Sequence, residues 1–169
     1  KTEKIEGDAE IRERVKDFFF SYAKTAETAV NALKQSELRY KNLFESARDA
    51  IIIVEYHSGI ILDVNTYTEV LFQRPKEEMK GLNISDVPFA EPFEQVRDKI
   101  LTQASDHTIP AVELRIFDTS GRIVPIEANA SKIDIAGTKY VFMICRDISK
   151  RKEAERRLEQ SERDYKELV

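Results

Sequence analysis

The chain has 169 residues, 41% hydrophobic and 34% charged, with a formal net charge of −4 at pH 7. That is enough chain for one well-cored domain with additional helices, and short for two. The acidic balance argues against a nucleic-acid module, the single Cys145 excludes an internal disulfide, and no apolar run reaches membrane-spanning length.

The chain starts at Lys1 rather than Met and carries no signal-peptide pattern. It is expected to be a segment of a longer cytoplasmic protein, with any membrane anchor of the parent left open. A helical pattern begins near Ala9: Ile11, Val15, Phe18, Tyr22, Ala26, Ala29, Leu33, Ser36, Tyr40 and Leu43 follow steps of four and three, close to a heptad seam. Phe18, Phe19 and Phe20 give this helix more apolar surface than one narrow stripe requires. A coiled-coil homodimer and an amphipathic helix covering its own domain are both expectations at this point.

Asp49 to Glu55 is short and β-branched, hence a strand; His57-Ser58-Gly59 turns, and Ile60 to Val64 returns as its hairpin partner. Asn65 caps a short helix carrying Val70, Leu71 and Phe72. Pro75 opens a second over Lys76 to Lys80, which Gly81 ends, and Asn83 to Val87 forms a third brief piece. Pro92 starts a longer amphipathic helix. The period then changes to two: Val112, Leu114 and Ile116 alternate with Glu113 and Arg115, Thr119-Ser120-Gly121 turns, and Ile126, Ala128 and Ala130 alternate with Glu127 and Asn129. After Ala136-Gly137 the last strand, Lys139 to Asp147, is apolar on both faces, which implies cover on both sides. The order predicts an α+β domain: a five-stranded antiparallel sheet with short helices on one face, flanked by N- and C-terminal helices.

The last strand passes into a charged helix with no turn between them, and Asp147 or Ser149 is the expected N-cap. Leu33 to Phe44 recurs as Leu158 to Val169, with Leu, Gln, Ser, Glu, Tyr, Lys and Leu in register. The parent is therefore expected to continue into a second copy.

Several segments in this order resemble the PAS domain family. They are Ser36 to Ala47 before the first strand, Asp63-Val64-Asn65, Met79-Lys80-Gly81, Thr119-Ser120-Gly121-Arg122, and the exit Arg146-Asp147-Ile148-Ser149-Lys150-Arg151-Lys152. On that resemblance, residues 1–35 are an N-terminal coiled-coil-like helix, 36–149 the PAS domain, and 150–169 a connector helix starting a next repeat. The resemblance implies a non-catalytic sensory domain of a signal-transduction protein, often a histidine kinase of a two-component system. It would relay a small ligand or a partner through its C-terminal helix to downstream PAS or kinase domains of the same chain. The alternative is a ligand-free dimerisation and spacer module.

The implied pocket lies between sheet and helices. Its candidate lining is Phe72, Leu82, Ile84, Val87, Phe93, Val96, Ile100, Val112, Leu114, Ala128, Phe142 and Ile144, extended by Ile53, Leu71 and Ile126; the same residues could simply be core. Polar candidates for selecting a ligand are Asn65, Arg97, His107, Asn129 and Tyr140. Arg146, Asp147, Ile148 and Ser149 are the candidate signal relay.

No cofactor is identified. Haem sensors of the family place a His on the long helix, and Pro92 to Gln103 has none. Covalent-adduct flavin sensors place a Cys near Asn83 to Val87, and none is there. Cys145 is expected as a small buried thiol rather than a redox group. His57 is expected to be exposed. Two isolated histidines and one Cys show no metal-ligand spacing, and no catalytic motif is present. The family usually has Gly where this chain has Gln73, so a different turn is expected there, a side chain being resisted at positive φ.

Overall fold

The computed structural model describes residues 2–102 and 108–168, with side chains over 11–98 and 111–168. The chain divides into two compact units between Leu43 and Phe44. The first is built on α1 (Thr2–Ser46), an unbroken helix of 45 residues. It begins at Thr2 rather than near Ala9. Apolar periodicity marks where a helix packs, not where its backbone begins. Every described side chain from Ile11 to Leu43 is exposed, Phe18 by 68% and Phe20 by 80%.

The second unit holds β1 (Ala50–Glu55), β2 (Ile61–Val64), α2 (Thr66–Phe72), α3 (Lys76–Met79), a 3-10 turn at Ile84–Asp86, α4 (Phe93–Thr102), β3 (Thr108–Phe117), β4 (Ile123–Ile135), β5 (Thr138–Asp147) and α5 (Ser149–Leu168). The five strands form one antiparallel sheet, as the succession of sequence patterns predicts, and the structure orders them β2-β1-β5-β4-β3. The last strand in the chain is therefore the central one. Both edges are blunted by the helical crossover, which limits pairing with other chains. Residues 81–84 bond to β2 through Ile61 N–H to Leu82 O (2.9 Å), and residues 88–90 bond to β3 through Ala90 N–H to Arg115 O (2.8 Å).

The core is the helix-facing side of the sheet: Ala50, Ile52 and Val54 of β1, Met143 and Cys145 of β5, Ile126, Ala128 and Ala130 of β4, and Val112, Leu114 and Ile116 of β3. Leu71, Phe72, Met79 and Val96 close it from the helices. The register places Ile53 opposite Phe142 and Ile51 opposite Ile144, alternating with those core pairs. Phe142, Ile144 and Ile53 consequently lie on the other face, half-buried, and the expectation that they line an interior pocket is corrected. Side chains alternate along a strand, so a strand apolar on both faces does not reveal its phase.

Asn65 holds the start of the sheet to the first short helix. It is fully buried, and its Oδ1 accepts from Ile51 N–H (2.8 Å), Thr68 N–H (3.2 Å) and Thr68 Oγ1 (2.7 Å), while its Nδ2 donates to Asp49 O (2.9 Å). It caps α2 as expected. Gln73 ends that helix at φ +52, ψ +36, so the different turn expected there does not form: its backbone takes the left-handed conformation glycine would take. The conformation costs a non-glycine residue about 1–2 kcal/mol. A hydrogen bond from Thr119 Oγ1 to Gln73 Oε1 (3.2 Å) helps to hold it.

Candidate functional site

At the exit, Asp147 Oδ1 accepts from Ser149 N–H (2.7 Å) and Ile148 O accepts the first helical bond from Lys152 N–H (2.9 Å). Ile148 thus occupies the cap position by its backbone, with Asp147 satisfying an orphan donor of the first turn from one residue earlier. Ile148 is buried, and its N–H donates to Pro125 O on β4 at 3.0 Å. The helix therefore grows out of the central strand without slack.

A row of charge crosses the outer face beneath this junction. Asp49 precedes β1 and lies beside Arg146, which pairs with Glu127, which pairs with Glu113 on β3. Arg146 grips Asp49 with two bonds, Nε–Oδ1 at 3.1 Å and Nη2–Oδ2 at 2.7 Å. The two glutamates directly opposite each other would repel. Cations of α5 stand over them: Arg151 bonds Glu127 at 3.1 Å and Glu113 at 2.9 Å, and Lys152 approaches Glu113 at 2.6 Å. The Lys152 bond is the main cause holding the Glu113 carboxyl below its ordinary range, and the Glu127 bond is the main cause raising Arg151.

The entry side is tied in as well. Glu45, at the end of α1 and within the second unit, accepts from Thr66 N–H and Oγ1 (both 2.8 Å) and pairs with Lys76 (3.0 Å). Burial pushes the Glu45 carboxyl up, but the Thr66 and Lys76 bonds outweigh it and the net direction is down. Lys76 also reaches Asp63 at 3.0 Å, and Lys80 reaches it at 3.2 Å.

A cavity of about 70 Å³ lies under the crossover at one end of the helical face. Ile61, Phe72, Met79, Leu82, Val87 and Pro88 form its apolar wall, with Phe117, Arg74, Asp118 and Thr119 completing it. Of the expected lining, Phe72, Leu82 and Val87 are here. Leu71, Val96, Val112, Leu114, Ile126 and Ala128 are buried in the core, and Ile84 packs against it. Phe93 is half-buried and stacks obliquely on Phe89 at 6.1 Å. The side chain of Ile100, and His107, lie outside the described residues.

Arg97 and Asn129 are exposed, and Tyr140 is on the outer face. His57 is exposed beside Tyr56. Cys145 is buried, and desolvation pushes its thiol up to about 12, which keeps it from being a thiolate. Among the described residues, no group of three or more His, Cys, Asp or Glu could hold a metal ion, and no helix is long and apolar enough to cross a membrane.

Sequence reasoning missed Glu113, Glu127, Arg151 and Lys152 at the exit, and Ile61, Arg74 and Met79 in the cavity. The glutamate pair carries a readable signal: positions 113 and 127 are equidistant from Ser120 in the hairpin turn, so they must face each other. The cavity residues sit in crossover segments whose path no periodicity reveals.

The PAS fold family model matches residues 38–148. Over 132 residues the chain is 31% identical to the methyl sulfide methyltransferase-associated sensor of Methanosarcina acetivorans, covering 75% of this chain and 13% of that protein. Among solved structures, the PAS domain of an HTR-like protein from Haloarcula marismortui superposes with a TM-score of 0.62 at 20% identity, covering 72% of this chain and 99% of that one. A PAS domain from Colwellia psychrerythraea gives 0.59 at 24% identity, with 70% and 98% covered.

Proposed function

The chain belongs to the PAS family, and on that footing we propose that it is a non-catalytic sensory relay in the cytoplasmic part of a larger signalling protein, a histidine kinase being the output the family resemblance suggests. A small ligand or a partner shifts the sheet, and the central strand moves α5, which carries the change to the next domain of the same chain. The observation that carries this reading is the rooting of α5: Ile148 is bonded into β4, and Arg151 and Lys152 are clamped on the Glu127 and Glu113 row. A helix held by several exposed ion pairs can change its seat without unfolding, because each such pair contributes little alone.

The test is made in the full-length parent. Arg151→Glu places a third negative charge in the glutamate row and is expected to lock the output in one state whatever the stimulus. Asp147→Ala is expected to uncouple stimulus from output while the domain stays folded. An output that still follows the stimulus in both variants sinks the relay.

The second reading is a ligand-free dimerisation spacer, favoured by the exposed seam of α1, in which Val15, Phe18, Tyr22, Leu33, Tyr40 and Leu43 face solvent. Native mass spectrometry separates the two. Extra mass lost on denaturation supports the sensor, and a bare dimer supports the spacer.

A further inference from the structure

The cavity under the crossover combines three features that the relay does not use. Its wall is apolar, from Ile61, Phe72, Met79 and Leu82. Its charged members are unequally engaged. Asp118 accepts from Ser120 N–H (3.0 Å), Arg122 N–H (2.9 Å) and Arg122 Nε (3.0 Å), so its charge is met inside its own turn. Arg74 lines the same space half-buried, and among the described residues it has no carboxylate or other hydrogen-bond partner. The cavity wall with its turn thus carries one uncompensated positive charge.

The third feature is backbone strain. Gln73 stands at φ +52 immediately before Arg74, held by Thr119, which is itself a cavity residue. A strained conformation kept beside a cavity is one that the surroundings over-determine, and it sets where the next side chain goes.

Size narrows the occupant. A cavity of roughly 150 Å³ accepts benzene, so 70 Å³ takes about three carbon atoms and excludes any flavin or porphyrin. We propose that the cavity binds a short-chain monocarboxylate of about four carbons, its three-carbon chain filling the space among Phe72, Met79 and Leu82 and its carboxylate outside that space, on the half-buried Arg74 guanidinium. The proposal rests on the sensory reading above and names the class of ligand for it.

Sodium butyrate is titrated into the purified chain and followed by amide chemical shifts, with sodium chloride as the ionic-strength control. The amides of Arg74, Leu82 and Thr119 are expected to move first. Acetate, two methylenes shorter, should bind roughly fifteen-fold more weakly. Arg74→Gln should weaken butyrate at least about tenfold, as should replacing butyrate with neutral butanamide. Leu82→Phe, which keeps the arginine and fills the space, should abolish binding.

No movement around the cavity with butyrate overturns the assignment. So does an Arg74→Gln variant that binds butyrate as tightly as the unaltered chain, and butanamide binding as tightly as butyrate overturns it in favour of a neutral ligand. The Arg151→Glu output assay uses no butyrate, so failure of this proposal and failure of the relay are read separately.

Discussion

On β5, Met143 and Cys145 look into the helical layer while Phe142 and Ile144 look out, and the two pairs are about equally apolar. The inner pair is 6% and 2% exposed and enclosed on all sides; the outer pair is half-buried over a face that also carries the charged row. The inner face provides stability and the outer face carries the connection to α5. What separates them is their neighbours rather than their own chemistry. Cys145 lies opposite Ala50 and Ala128, which helices cover, whereas Ile144 lies opposite Ile51 and Asn129.

The sharpest way to break that contrast is to truncate one residue from each face. Met143→Ala is expected to destabilise the domain by about 3 kcal/mol, because an enclosed site leaves a cavity; Phe142→Ala is expected to lose only about 1 kcal/mol, since a half-buried ring leaves none. Urea melts of the two variants measure this. An equal loss would mean that the outer face is covered in solution.

Asn65→Ala tests the polar link between β1 and α2. It removes a cap and strands buried partners, and a loss of about 2–3 kcal/mol is expected in the same melts. An effect under about 0.5 kcal/mol would place the hold on β1 elsewhere.

Gln73→Gly relieves the left-handed strain and is expected to raise stability by up to about 1 kcal/mol, the gain being trimmed by the entropy of glycine in the unfolded chain. A loss of stability would show that the Thr119 bond outweighs the strain.

The smallest effect concerns the outer face. The Glu113 carboxyl is depressed in the folded state, so its contribution is complete above the ordinary glutamate value near 4.3 and disappears as pH falls through the depressed value. Hydrogen-exchange protection of Ser149 to Lys152, taken relative to the intrinsic exchange rate at each pH, is expected to fall at about pH 4 and below, while β5 amides stay protected. Protection unchanged from neutral pH to about pH 3 would remove the ion pairs from the account of how α5 is held.

Much of the architecture was legible because it is local. Gly59 and Gly81 sit at φ +71 and +86 in their turns, Asn65 caps, and the two-residue alternation of Val112 to Ile116 and Ile126 to Ala130 specifies which side of β3 and β4 is inside. The continuity of β5 into α5 was legible too, since nothing between Asp147 and Lys152 breaks a helix. Of the expected pocket, Phe72, Leu82 and Val87 came together around a cavity; most of the other described candidates became core, because a small domain fills its interior with whatever apolar side chains face it.

By itself the sequence determined the elements, their order and the family, since short-range periodicity, caps and turns depend on residues a few positions apart. Tertiary structure decided the rest. It chose the face of β5, because the phase of a doubly apolar strand is settled only by its partners' side chains. It brought Asp49, Glu113, Glu127, Arg146 and Arg151 into one row, because a central last strand gathers residues about a hundred positions apart. And it left Arg74 beside an apolar cavity, because the crossover's path follows from how the helices pack, which no local pattern encodes.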